Sequence, residues 1–181
     1  MAVDNVVAFH RRSPMFEVIL VPTDGSVVSI AAALKALAFA KRMDARVVLF
    51  NSIPAYQYPV YVGGMPYEYP SEVDYETQCR AIADRHLGLI TQMARAQGVN
   101  ASTRVDFNGS PAQAIVDAAK KENCGLIFMG SHGRGGLSRV FLGSVAYKTL
   151  ALTHVPVLVD RATSDEILHV EELMRQHAIE S

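Results

Sequence analysis

Four residues with the types and spacing to hold an anion stand behind one apolar run. Gly130, Gly133, Gly143 and Ser144 follow "CGLIFM" in the order G-x-x-G, nine residues, G-S. Glycine lets backbone come close to a ligand without a Cβ in the way. A helix opening at Gly143–Ser144 offers unpaired N–H groups and the positive end of its dipole. The Ser144 hydroxyl can add a hydrogen bond to a phosphate oxygen, and Arg134, Arg139 and His132 place positive or switchable charge nearby. Residues 130–144 hold five glycines, of which Gly135 and Gly136 fall outside the spacing. The stretch reads as a mould for a phosphate rather than a slack connection. It is neither of two common phosphate loops. No lysine follows the glycines as a P-loop requires, and the first strand–helix turn, "TDGS", lacks the dinucleotide pattern G-x-G-x-x-G. His132 has no carboxylate or nucleophile set beside it by sequence, so no catalytic role is assigned to it.

The elements that must position this loop alternate. "EVILVP" (17–22), "RVVLFNSI" (46–53), "ASTRVDF" (101–107), "LIFMG" (126–130) and "VPVLVD" (155–160) are short apolar or alternating runs with the length of strands. Between them lie helical stretches. The first follows "TDGS", with Val28, Ala31, Ala32, Leu34, Ala38 and Phe39 near helical period and Lys41 and Arg42 in the last turn. The second spans about 71–97, where Ala83, Leu87, Ile90 and Ala94 mark a buried stripe closed by Gly98. A third opens with Ser110 as N-cap and Pro111 at the first helical position. A fourth is "GSVAYKTLALTH". Strand–helix alternation of this kind specifies a single doubly wound α/β domain, a parallel sheet with helices on both faces. Ligands of such sheets sit beyond the carboxyl ends of the strands, where strand order reverses. "PTDGS" and "GSHGRGG" both fall there.

Composition is that of an ordinary globular domain: 181 residues, half of them apolar, with a net charge of −1. That charge supplies no field for nucleic acid or an anionic membrane, and no apolar run approaches the ~18 residues of a membrane span. No secretory signal pattern opens the chain. Cys79 and Cys124 have no metal-type spacing and suit a reducing compartment, which points to the cytoplasm. Residues 1–15 read as a flexible leader, 54–70 as a Tyr/Pro-rich insertion, and 161–181 as a helical C-terminal extension around Ile167, Val170 and Met174. The insertion holds five of the seven tyrosines, whose simplest role is covering apolar surface and whose sharper one is a lid or partner face.

"ILVPTDGS", "GSPAQAI", "LIFMGSHGRGGLSRVFLGSVA" and "VPVLV" stand in the order found in the universal stress protein family, and the chain resembles its ATP-binding subgroup over residues 16–160. The resemblance implies a five-stranded sheet in the order 3-2-1-4-5 with a nucleotide between the first and fourth strands. It implies that Pro22, Thr23 and Asp24 border the adenosine and that Val47 meets adenine through its backbone. Met129, Gly130, Gly133, Gly143, Ser144 and Val145 would line ribose and phosphates, with Ser131, His132 and Ala146 close by. The expected ligand is ATP, with AMP and ADP as alternatives, and Mg²⁺ or Mn²⁺ held through the phosphates rather than by the protein. A homodimer through the 156–160 edge strand follows from the same resemblance and from the need to protect an open edge. The role expected is a nucleotide-dependent switch or sensor in stress response with an unidentified protein partner. The alternatives are a slow ATPase and a nucleotide-free dimeric interaction module. The family often has a histidine where Asn51 stands.

Overall fold

A computed structural model of the chain describes residues 16–57, 70–132 and 142–180. Five parallel strands form one sheet: β1 (Val18–Pro22), then after helix α1 (Val27–Met43), β2 (Arg46–Ile53), then after α2 (Glu72–Ala96), β3 (Ala101–Phe107), then after α3 (Pro111–Lys121), β4 (Leu126–Gly130), and after α4 (Ser144–Leu152), β5 (Val157–Asp160). Helix α5 (Ser164–Glu180) ends the described chain. The strand order is β3-β2-β1-β4-β5, so the order reverses between β1 and β4, as expected from the sequence. Val18–Pro22 pairs residue for residue with Arg46–Phe50, and Ile19–Leu20 pairs with Leu126–Ile127. The leader lies outside the described residues, as do residues 58–69 of the insertion.

β1 is buried on both faces because it lies at the centre of the sheet. Ile19 and Val21 pack with Val47, Leu49 and Phe128 against α1, α2 and α5. Leu20 packs with Val48, Phe50, Ile127 and Met129 against α3 and α4. Burying chains of this size stabilises by about 2 kcal/mol each. Cys124 belongs to the second layer, where burial pushes its thiol pKa up to about 11.

Helix α1 departs from the sequence reading. Ala31 and Ala32 of the expected stripe are buried, but Val28, Leu34 and Phe39 are half-buried and Ala38 is exposed, while Ile30, Ala33, Ala36, Leu37 and Ala40 are buried outside it. Eight alanine and leucine positions in one helix blur any single stripe, and the sheet selects the face that fits. At α3, Ser110 holds the N-cap position, but its side chain makes no capping bond; Asn108 Oδ1 instead accepts from the Ser110 N–H at 2.8 Å.

The turn from β1 to α1 depends on Gly25. Its φ is +77°, and a Cβ there would run into the His86 imidazole of α2. Gly25→Ala is expected to cost about 2–4 kcal/mol, combining a left-handed backbone with an overpacked contact. Urea unfolding measures this; a loss below 0.5 kcal/mol, on the order of an ordinary surface substitution, would contradict the geometry.

Candidate functional site

Beyond the carboxyl ends of β1 and β4 lies a cleft of about 270 Å³. The first wall is the β1–α1 turn, a mesh of short hydrogen bonds. Asp24 Oδ1 accepts from the Ser26 N–H at 3.0 Å and from its hydroxyl at 2.6 Å. Ser26 in turn caps α1 by accepting from the Ser29 N–H, and the Thr23 and Ser29 hydroxyls lie 2.8 Å apart. The Thr23 N–H donates to the Phe50 carbonyl at 2.8 Å, and the Asn51 side-chain amide donates to the Thr23 carbonyl at 2.7 Å. Asn51 is thereby a positioning residue of the cleft. Its place at a strand end was legible in the sequence, but its partner, 28 residues away, was not.

The second wall is β4 running into α4. Met129, Gly130, Ser131 and His132 line it, followed by Gly143, Ser144, Val145 and Ala146. Two backbone bonds hold this wall in place: the Gly143 N–H donates to the Ser131 carbonyl at 2.8 Å, and the Ser131 N–H donates to the Asp160 carbonyl at 2.7 Å. Gly143 is the N-cap of α4 and offers no side chain to the helix, whose first internal bond runs from the Tyr147 N–H to the Gly143 carbonyl. The N–H groups of Ser144, Val145 and Ala146 therefore have no acceptor within the helix, and they stand at the cleft with the positive dipole end behind them. A Cβ on Gly143 would stand 3.0 Å from the Ser131 carbonyl oxygen, and one on Gly130 would stand 3.2 Å from that of His132. These glycines serve the turn's own backbone packing.

Pro22, Phe50, Ile115 and Met129 add an apolar slab to the lining of the cleft. Pro22, Thr23, Asp24, Met129, Gly130, Ser131, His132, Gly143, Ser144, Val145 and Ala146 thus surround one space. Gly133, Arg134 and Arg139 lie outside the described residues. Val47 is a correction. It is fully buried near the start of β2, paired with Ile19 and Ala101, and its N–H donates to the Asn100 carbonyl at 2.8 Å. Five residues of strand, about 17 Å, separate it from Ser52, the β2 residue that does line the cleft together with Phe50. Strand alternation puts Phe50 and Ser52 on one face, which is the signal that could have found them.

The polar side chains here are mostly committed to structure. Ser131 Oγ and His132 Nδ1 lie 3.0 Å apart, while His132 Nε2 and Ser52 Oγ are buried with no partner among the described residues. No three His, Cys, Asp or Glu side chains gather to hold a metal among the described residues.

The fold and this site define a class: a doubly wound α/β protein whose switch-point crevice joins an apolar slab to an open helix N-terminus. The chain belongs to the universal stress protein family, whose profile matches residues 15–161. Over 152 residues it is 35% identical to universal stress protein MJ0531 of Methanocaldococcus jannaschii, covering 84% of this chain and 86% of that one. The fold matches universal stress protein UspA of Lactobacillus plantarum with a TM-score of 0.68 at 25% identity, over 81% of this chain and 98% of that one. It also matches a universal stress protein solved in complex with cAMP, with a TM-score of 0.59 at 19% identity, over 82% and 98% of the two chains.

The contact between Gly143 and Ser131 yields a stability test. Gly143→Val forces the carbonyl away and is expected to cost about 1–3 kcal/mol, whereas Gly109→Val, whose Cβ would meet nothing within 4 Å, is nearly neutral. Equal urea midpoints for the two variants would refute the role given to Gly143.

Proposed function

We propose that the cleft binds an adenine nucleotide, base against the apolar slab and phosphates at the start of α4, and that occupancy switches the protein between partner-binding states in the cytoplasmic stress response. The observation carrying this reading is the α4 N-terminus: three successive N–H groups without helical acceptors and no side-chain cap, lining the same cleft as an apolar slab. An anion with a flat apolar body satisfies both at once. ATP fits that description, and AMP or ADP would use the same slab with fewer oxygens at the helix. Mg²⁺ or Mn²⁺ would be held through the phosphates and neutralise part of their charge. The solved relative with cAMP is consistent with an adenine nucleotide as the ligand of this fold.

Holding rather than turnover is the reading the polar groups favour. Asp24 Oδ1 is engaged by Ser26, and the nearest partner of His132 Nδ1 is the neighbouring Ser131 hydroxyl. General-base catalysis needs a group directed at the attacking water. The outer edge of β5 is the place for self-association, since β5 pairs with β4 on its inner side and Tyr147, Leu150 and Leu152 of α4 expose apolar surface. A second copy docking there closes the open edge.

The test combines identification with one substitution. Denaturing the purified protein releases an adenine nucleotide, or the empty protein gives heat on titration with MgATP. Ser144→Asp puts a carboxylate where the phosphates would sit. It is expected to leave the melting temperature equal or slightly raised, because an acid suits a helix start, while weakening MgATP about tenfold or more through like-charge repulsion. No released nucleotide and no heat overturn the proposal. Unchanged affinity in Ser144→Asp overturns the placement of the phosphates.

A further inference from the structure

We propose that the C-terminal helix α5 reports occupancy of the cleft, its docking on α1 tightening when the start of α4 holds a ligand. The inference rests on the nucleotide reading above and names how that site is read out. The start of α4 and the start of α5 are joined by an unbroken chain of polar contacts. The Gly143 N–H donates to the Ser131 carbonyl, and the Ser131 N–H donates to the Asp160 carbonyl at 2.7 Å. The Asp160 carboxylate lies 2.9 Å from Lys35 Nζ, and the same ammonium lies 2.8 Å from Glu166 Oε2. Glu166 closes a capping box: its Oε2 accepts from the Thr163 N–H at 2.7 Å, and its own N–H donates to the Thr163 hydroxyl at 3.4 Å.

Each link matters for a stated reason. Asp160 is the last residue of β5, so its carbonyl holds one wall of the cleft while its carboxylate faces α1. The Asp160 side chain is 14% exposed, so its pairing with Lys35 is less screened than a surface pair. Its second oxygen is buried without a hydrogen-bond partner among the described residues, which makes the carboxylate depend on Lys35. The hydrogen bond from Lys35, with that from the Thr163 N–H, holds the Glu166 carboxyl below its ordinary range.

The helix at the far end has the loose packing that a two-state element needs. Val170 is the fully buried anchor of α5, with Met174 and Ala162 partly buried against the same cluster. Beside that anchor, α5 leaves a groove of about 510 Å³ against Leu34, Ala38 and Met93. Among the described residues α5 has one fully buried side chain, with Ile167, Leu173 and Met174 half-buried, and an element docked so sparsely beside an ionic bridge opens at lower cost than the core. A ligand that fixes Gly143 and Ser131 also fixes the Asp160 backbone. The carboxylate then stays under Lys35, and the Lys35–Glu166 bridge holds the first turn of α5 in place.

Amide hydrogen exchange of the full chain with and without MgATP tests this. In the wild type, MgATP slows exchange at the start of α4 and, about fivefold, in α5. Lys35→Met, and independently Glu166→Gln, which keeps an acceptor for the Thr163 N–H, reduce the α5 effect to less than twofold while protection at α4 remains. By reciprocity the same variants bind MgATP correspondingly more weakly. Protection at α4 with unchanged α5 exchange in the wild type overturns the inference and leaves the nucleotide reading standing, as does an undiminished α5 effect in both variants. No binding and no protection anywhere overturns both.

Discussion

The Ser131 peptide joins two directions of the structure. Its N–H reaches across to the Asp160 carbonyl and extends the β4–β5 ladder one residue past the strand, while its carbonyl takes the Gly143 N–H and fixes where α4 begins. Without the first bond, the end of β4 is free to turn; without the second, α4 has no defined start. The anion-receptive geometry of the cleft depends on both, because a helix N-terminus is useful to a ligand only if it stays directed at one place. Gly143 suits this junction because a Cβ there would stand 3.0 Å from the Ser131 oxygen.

The opposite wall follows the same logic with side chains in place of backbone. Thr23, Asp24, Ser26, Ser29 and Asn51 convert five small polar residues into a mesh that fastens the β1–α1 turn to β2. Such a mesh is costly if half satisfied and rigid when complete. Asp24 therefore holds the turn through Ser26. Core burial on both faces of β1 keeps the two walls at a fixed separation, since β1 carries one and its neighbour β4 carries the other.

Much of this was legible in the sequence, for identifiable reasons. Strand–helix alternation is a local pattern, and it led to the doubly wound sheet; the strand order came from the family's ordered motifs. The run from Met129 to His132 and the run from Gly143 to Ala146 could be placed together because strand 4 and its following helix are adjacent in sequence. Val47 was misplaced because an apolar strand looks alike along its length. Only the register with β1, in which Val47 faces Ile19 and Phe50 faces Pro22, shows which end reaches the cleft. The brace from Asn51 to Thr23 and the bridge from Lys35 to Asp160 and Glu166 span long sequence separations, and no local pattern encodes them. The α1 stripe held only in part, at Ala31 and Ala32, because alanine is small enough to be buried or exposed without penalty.

The proposed nucleotide would set its phosphates at the uncapped start of α4. Backbone amide chemical shifts of the full chain titrated with MgATP address it directly. The largest shifts are expected at Ser144, Val145 and Ala146, with Ser131 moving alongside them and Val47, bonded to Asn100 at the far end of the sheet, unmoved. Saturable shifts centred on Val47, or on the groove beside α5 with Ser144–Ala146 unchanged, would contradict it.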